Sequence, residues 1–280
     1  MTCHMYKHYF TLIIAILLLS GVQANSQVLH YLMKTDMTLI ESKWETDTQG
    51  VQCLNYYNAD FCDYARLQEN EFKVLRPGKN TVYKKTESEL ENAYKYGKSY
   101  RLYRGRFITK KFDPYFVYAL PYKKGAKVRW TIDRREPKRT LLMQCQSCDT
   151  VYASRSGVVC TLKNDKSTVL VYHNDYTFAG YMNLSSCFVS AGEHITTGDP
   201  IGIARSEGMS LTIFFLDENL FEDGRTIVHP YTHIMPVFRT DKGDVRLEEK
   251  TIYTSAIDAD LITKEMGKAE KKRYLKTGQK

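Results

Sequence analysis

Past residue 24 the chain has no apolar run long enough to form a membrane-spanning helix, which excludes an ordinary helical membrane protein. A single C-x-x-C pair is present, Cys145-x-x-Cys148, and without a second pair a zinc ribbon has weak support. An H-E-x-x-H zinc helix is also missing. His229 and His233 stand four residues apart, but Pro230 lies between them and no glutamate occupies the second position. His173, at a strand position, reads as hydrogen-bonded rather than ligating, and His194 reads as exposed at a hairpin tip.

What is present fits a globular protein of one or two domains. Of the 280 residues, 43% are hydrophobic, enough for a real core, and 21 tyrosines favour half-buried β faces. Met1–Ala24 reads as an export signal: Lys7, then the apolar run Phe10–Leu19, then the small-residue pattern Val22-Gln23-Ala24. Cys3 precedes the apolar run and no cysteine stands at the cleavage point, which argues against a lipid anchor. An exported protein, periplasmic or secreted, is the expectation. Its formal charge of +8 falls to +7 when Lys7 is removed. Such a charge draws the chain to an anionic envelope, and export argues against a nucleic-acid partner.

Six cysteines remain beyond the signal: Cys53, Cys62, Cys145, Cys148, Cys160 and Cys187. In an oxidising compartment they invite disulfides, and Cys53–Cys62 could close a local loop. Structural pairing or burial is favoured over metal binding and redox catalysis.

The stretch from Asp149 to Ala204 organises the rest. Val151–Val159 alternates apolar and small residues around Gly157 and suits a bent strand. Val169–His173 and Thr177–Leu184 read as a hairpin about Asn174-Asp175, which tolerates positive φ. Gly192 and Gly198 mark two reversals, followed by Ile201-Gly202-Ile203. Ser210–Phe221 supplies an apolar central strand, and Asp223-Gly224 a hairpin turn beside the acidic residues Asp217, Glu218, Glu222 and Asp223, read as solvated. The fold class is mainly β, a compact antiparallel β barrel-sandwich with lipoyl-like hairpins.

The order of these motifs over Tyr118–Phe238 resembles the lysostaphin- or LytM-type zinc endopeptidases, which cut peptide bonds in bacterial peptidoglycan. The resemblance implies a zinc ion held by an H-x(3)-D segment and the second His of an H-x-H strand, with two further histidines acting on water and transition state. The matching positions here are Lys138 and Leu142, Asn183 in Tyr181-Met182-Asn183-Leu184, and Ser210 and Thr212 around Leu211. Leu142 has no lone pair, Lys138 repels a divalent cation, Ser210 and Thr212 are poor neutral ligands, and Asn183 cannot transfer protons near neutral pH. The expectation is a degenerate member of the family: no catalytic residue, no metal ligand, no zinc. A retained groove formed by Tyr181, Asn183, Ser210 and Thr212 would bind without cutting, with peptidoglycan or an envelope protein as partner. Two alternatives stay open, an active zinc endopeptidase with relocated ligands from His173, His229, His233 or the cysteines, and a structural envelope protein.

Four segments are expected: the signal 1–24, an N-terminal α+β region 25–116, the LytM-like domain 117–240, and a C-terminal part 241–280. In the second, Arg76-Pro77-Gly78-Lys79-Asn80 is a turn and Thr86-x-x-Glu89 caps a helix ending by Gly97. Tyr100–Ile108 then reads as a half-buried strand whose Arg101, Arg104 and Arg106, with Lys110 and Lys111, form a solvated basic cluster. Thr131–Arg139, dense in charge and containing Asp133, reads as a surface loop. A helical pattern follows Thr251, and Lys264–Lys280 is a basic tail suited to an anionic surface.

Overall fold

Eight consecutive buried residues, Met209–Leu216, form the strand about which the largest sheet is laid. A strand with neighbours at both edges and cover on both faces has no solvated side, so its sequence runs apolar without a break. In the computed structural model, which describes residues 32–33, 36–69, 71–85, 100–108, 112–133, 140–145, 149–162, 166–221 and 230–277, the sheet runs in the order His194–Ile195, Gly157–Val159, Val169–Tyr172, Phe178–Met182, Met209–Leu216, Leu141–Cys145, Lys127–Ile132, Ile252–Thr254. Tyr231–Ile234 pairs with the second half of Met209–Leu216. The neighbours in this sheet are antiparallel; a parallel pair joins Val237–Thr240 to Val117–Ala119 in a smaller sheet.

Successive side chains on a strand point to opposite faces, and the two faces here feed two different cores. Val169, Val171, Ala179, Tyr181, Leu211 and Ile213 belong to one cluster with Trp130, Leu141 and Met143. Leu170, Tyr172, Phe178, Met182, Phe214 and Leu216 belong to the other, which also contains Leu32, Leu54, Tyr56, Tyr64 and Leu75. The N-terminal region therefore packs on the second face of the large sheet. It consists of two three-stranded sheets, one of Ile40–Thr46, Gln52–Asn58 and Gly78–Lys84, the other of Tyr64–Gln68, Glu71–Leu75 and Arg101–Arg104. Between Leu75 and Gly78 the chain changes sheet, and the Asn80 amide fixes the turn by accepting from Arg76 N at 2.8 Å and donating to Arg76 O at 2.7 Å.

The mainly β, antiparallel architecture agrees with the sequence, and so does the C-terminal helix, Lys268–Thr277. Local readings need correction. Val151–Val159 is two strands in different sheets, Thr150–Tyr152 and Gly157–Val159. The chain breaks between them because Ser154 N donates to Tyr181 Oη and Arg155 turns inward to an ion-pair cluster. In the Val169–Tyr172/Phe178–Met182 hairpin the positive φ, 72°, falls on Tyr176 rather than on Asn174 or Asp175; Asp175 accepts from Thr177 instead. Arg104 is not solvated but buried, facing Asp60 at 3.4 Å. The helix after Thr86 and the Asp223-Gly224 turn lie outside the described residues.

Candidate functional site

Antiparallel register brings the family-like positions to one place. Leu142 lies opposite Ser210, and Ser210 opposite Met182 on the other side; two residues on, Thr212 faces Gly180. With period-2 alternation, Leu142, Ser210, Thr212 and Met182 share the face that the N-terminal region covers. Asn183 follows the end of its strand at φ 63°, and its amide donates to Gly208 O at 2.6 Å. That bond stabilises the left-handed conformation, which a short polar side chain tolerates better than a bulky one. Lys138 lies outside the described residues.

This face is closed. Leu32 is fully buried, and its Cδ1 stands 2.7 Å from where a side chain at Gly180 would begin, with Thr212 Cγ2 at 3.1 Å from the same point. Tyr231 pins the covering segment, its hydroxyl reaching Met33 O at 3.2 Å and Arg104 O at 2.9 Å. Glycine at 180 is what lets Leu32 sit so low on the sheet.

The polar side chains left beneath this cover are paired within the protein. Ser210 Oγ donates to Asp133 Oδ2 at 2.6 Å, and Thr212 Oγ1 lies 2.9 Å from His233 Nδ1. Asp133, at 3% exposed, is not part of a surface loop as its charged neighbourhood suggested. Sequence reasoning missed it because its partner is 77 residues away. Only the predicted opposition of strands around Ser210 could have signalled it.

Placed in the structure, the proposed groove residues do not line an open cleft among the described residues. Tyr181 points to the opposite face, fully buried, with its hydroxyl accepting from Ser154 N at 2.8 Å. Ser210 and Thr212 are buried, and Asn183 is engaged by Gly208. For Thr212 the physical reason is the covering N-terminal region; Tyr181 is buried instead in the core on the other face.

Zinc does not fit these positions. A leucine, two hydroxyls already hydrogen-bonded and an amide turned to a carbonyl offer neither the charge nor the lone pairs that the ion demands. Of the other candidate histidines, His233 bonds Thr212, His173 lies near Arg155 and Asp175 with its Nδ1 2.7 Å from Ser156 O, His194 is exposed, and His229 lies outside the described residues. Burial first, then the Arg155 guanidinium, holds His173 neutral, its pKa lowered to about 3.

A different cluster has donor atoms in metal-like proximity. One ligand atom each from Asp60, Cys62 and Cys160 lie within 4.8 Å of one another, all buried. The carboxylate is already saturated. Asp60 Oδ1 accepts from Phe61 N and Thr161 N, both at 2.8 Å, and Oδ2 from Tyr64 Oη at 2.8 Å. The buried Arg104 guanidinium beside it occupies the position of a counter-cation. The Cys53–Cys62 loop is ruled out in this arrangement, since the Cys53 thiol faces Val51 O and Asp47. Cys145 is disulfide-bonded.

The open feature on this side is a polar cavity of about 770 Å³ beyond the edge of the covered face, lined by Arg129, Gln144, Asp149, Arg205, Ser206 and Gly208 among others. It holds charges of both signs, Arg129 and Arg205 against Asp149.

Residues 136–216 match Peptidase family M23. A solved structure described as a zinc containing peptidase from Vibrio cholerae is similar over 62% of this chain and 81% of its own, at 13% identity and a TM-score of 0.26, a level that carries no argument. No curated protein matches. The resemblance read from the sequence thus holds over the segment containing the Leu142–Thr212 positions, and the chain carries a peptidase-like β domain.

Proposed function

We propose that the protein is an exported, non-hydrolytic relative of the peptidoglycan endopeptidases, serving as a binding or regulatory module of the cell envelope. The observation that carries this reading is the state of Ser210 and Thr212. Where a peptidase of this kind needs a histidine acting on water and a metal ligand, these hydroxyls are spent on Asp133 and His233, and Leu32 lies over Gly180 beside Thr212. Hydroxyls engaged in this way are poorly suited to take up a metal that would activate a water.

Binding then falls to surfaces outside the covered face. The cavity beside Gly208 offers Arg129, Arg205 and Asp149 to a ligand with both carboxylates and amines, as wall peptides have. The helix Lys268–Thr277 buries none of its residues and presents Lys268, Lys271, Lys272, Arg273 and Lys276, a charge distribution suited to an anionic polymer.

Metal analysis of the full chain purified without chelators is the first test. Zinc well below one per chain is expected, and one zinc per chain overturns the non-hydrolytic reading. Sedimentation with insoluble peptidoglycan at moderate salt tests the second half. The protein should pellet, with Arg205→Glu reducing the bound fraction. A chain that stays in solution favours a purely structural role.

A further inference from the structure

We infer that Cys62 and Cys160 form a disulfide that staples the N-terminal region to the peptidase-like sheet. Both are free thiols in this structure; Cys62 is fully buried and Cys160 is 3% exposed, and their sulfurs lie within 4.8 Å of each other at the seam between the two parts. Backbone and side-chain bonds hold both cysteines from either side. Asn58 Nδ2 donates to Cys62 O at 2.9 Å, Cys160 N donates to Leu170 O at 2.8 Å, and Thr161 N reaches across the seam to Asp60 Oδ1 at 2.8 Å. Arg104 adds a second crossing through Thr161 O at 3.2 Å. Two thiols held this closely react as an intramolecular pair.

The other roles open to this cluster fit less well. A metal ion would need Asp60 to surrender its hydrogen bonds and would sit against Arg104, which has two further buried N–H groups, on Nε and Nη1, without acceptors. A nucleophilic thiol needs access and a lowered pKa, whereas burial, then the neighbouring Cys160, pushes Cys62 up. A disulfide carries no charge and leaves the Asp60–Arg104 pair intact, at the cost of the weak bond from the Cys62 thiol to Asp60 Oδ2 at 3.4 Å.

The reaction is thiol–disulfide exchange with an oxidised dithiol donor. Each cysteine gives up its proton, one S–S bond forms between Cys62 and Cys160, and the two electrons reduce the donor's S–S bond to two thiols. Because both sulfurs are buried in the folded chain, the exchange occurs before the two parts close on each other. Formation in the cell rests on the exported reading, since an oxidising compartment supplies the donor.

The test uses the full chain, equilibrated after unfolding and refolding in glutathione buffers of stepped redox ratio, then alkylated and mapped by non-reducing peptide mass spectrometry. A Cys62–Cys160 linked peptide should dominate in oxidising buffers and vanish in favour of two alkylated peptides in reducing ones. Linkage of Cys62 to Cys53, or full alkylation of Cys62 and Cys160 at every ratio, overturns the inference. So does a co-purifying metal lost in Cys62→Ala. The double variant Cys62→Ala/Cys160→Ala, which keeps Cys145, is the control for stability. Reductant should lower the wild-type Tm by about 5 °C or more beyond any shift in the variant. If the bond forms in buffer but is missing from protein isolated from its native cells, export is refuted and the pairing stands.

Discussion

Lowering the pH from 7 to 4.5 is expected to weaken the fold through His173 by about 2.5 kcal/mol. The imidazole is 1% exposed. Its Nδ1 stands 2.7 Å from Ser156 O, which can only accept, so Nδ1 carries the hydrogen, and Nε2 is buried without a hydrogen-bond partner. Protonating Nε2 would add a charge in a desolvated place near Arg155, and the pKa accordingly drops from 6.5 to about 3. In the unfolded chain the same group titrates near its ordinary value of about 6.5. Between those values only the unfolded state takes up the proton. Stability from this residue is therefore complete above the unfolded pKa and declines as pH falls, by about 1.4 kcal/mol per unit. Asp175 does not confuse the window: burial pushes it up, but Arg155 and then His173 hold it lower overall, so its contribution is lost only at more acid pH.

His173→Asn isolates the effect, because the asparagine Nδ2 can replace the Nδ1–H donor to Ser156 O without titrating. Loss of the ring against Tyr118, 6.1 Å between centroids, lowers stability by an amount independent of pH. Urea unfolding, followed by Trp44 and Trp130 fluorescence at intervals from pH 7 to 4.5, should show the wild-type and variant stabilities converging by about 2.5 kcal/mol. Parallel pH profiles for the two proteins would refute the buried neutral imidazole.

Arg155→Met leaves Asp175 buried without its cation, at present 2.8 Å away, and strips Glu265 of its partner at 2.7 Å; a loss of about 3–5 kcal/mol in chemical denaturation is expected. Leu32→Ala should cost about 2–5 kcal/mol, and Gly180→Ala about 1–3 kcal/mol because the new methyl meets Leu32 Cδ1 at 2.7 Å. In the Leu32→Ala background Gly180→Ala should cost much less, so a double-mutant cycle in thermal unfolding reads about 1 kcal/mol or more of coupling, and additivity would show that Leu32 does not cover the sheet. Asn183→Ala should cost about 1–2 kcal/mol through left-handed backbone strain and the lost bond to Gly208 O, while Asn183→Gly, relieved of the strain, should cost less in the same measurement.

What the sequence discloses here depends on how far apart the interacting residues lie. The Met209–Leu216 strand and the Val169–Met182 hairpin are legible because burial imposes a local pattern of apolar residues. That Leu142 offers a metal no lone pair is legible too, whatever the fold. The covering of that face is not. Leu32 and Gly180 are unremarkable singly, and their contact follows from how the N-terminal segment docks on the large sheet, which no periodicity encodes. The same holds for Asp133 with Ser210 and for Cys62 with Cys160, whose neighbours in the chain suggested a surface loop and a local Cys53 bridge. An apolar cover suits neutral side chains beneath it: an unoccupied histidine and aspartate set under Leu32 would bury charge without a partner, whereas a hydroxyl bonded to one buried acid or imidazole adds no charge of its own. On the reading proposed above, the covered face and the neutral side chains beneath it are one adaptation, so Thr212→His without removal of Leu32 should destabilise the chain and recruit no zinc, as denaturation and metal analysis together can read.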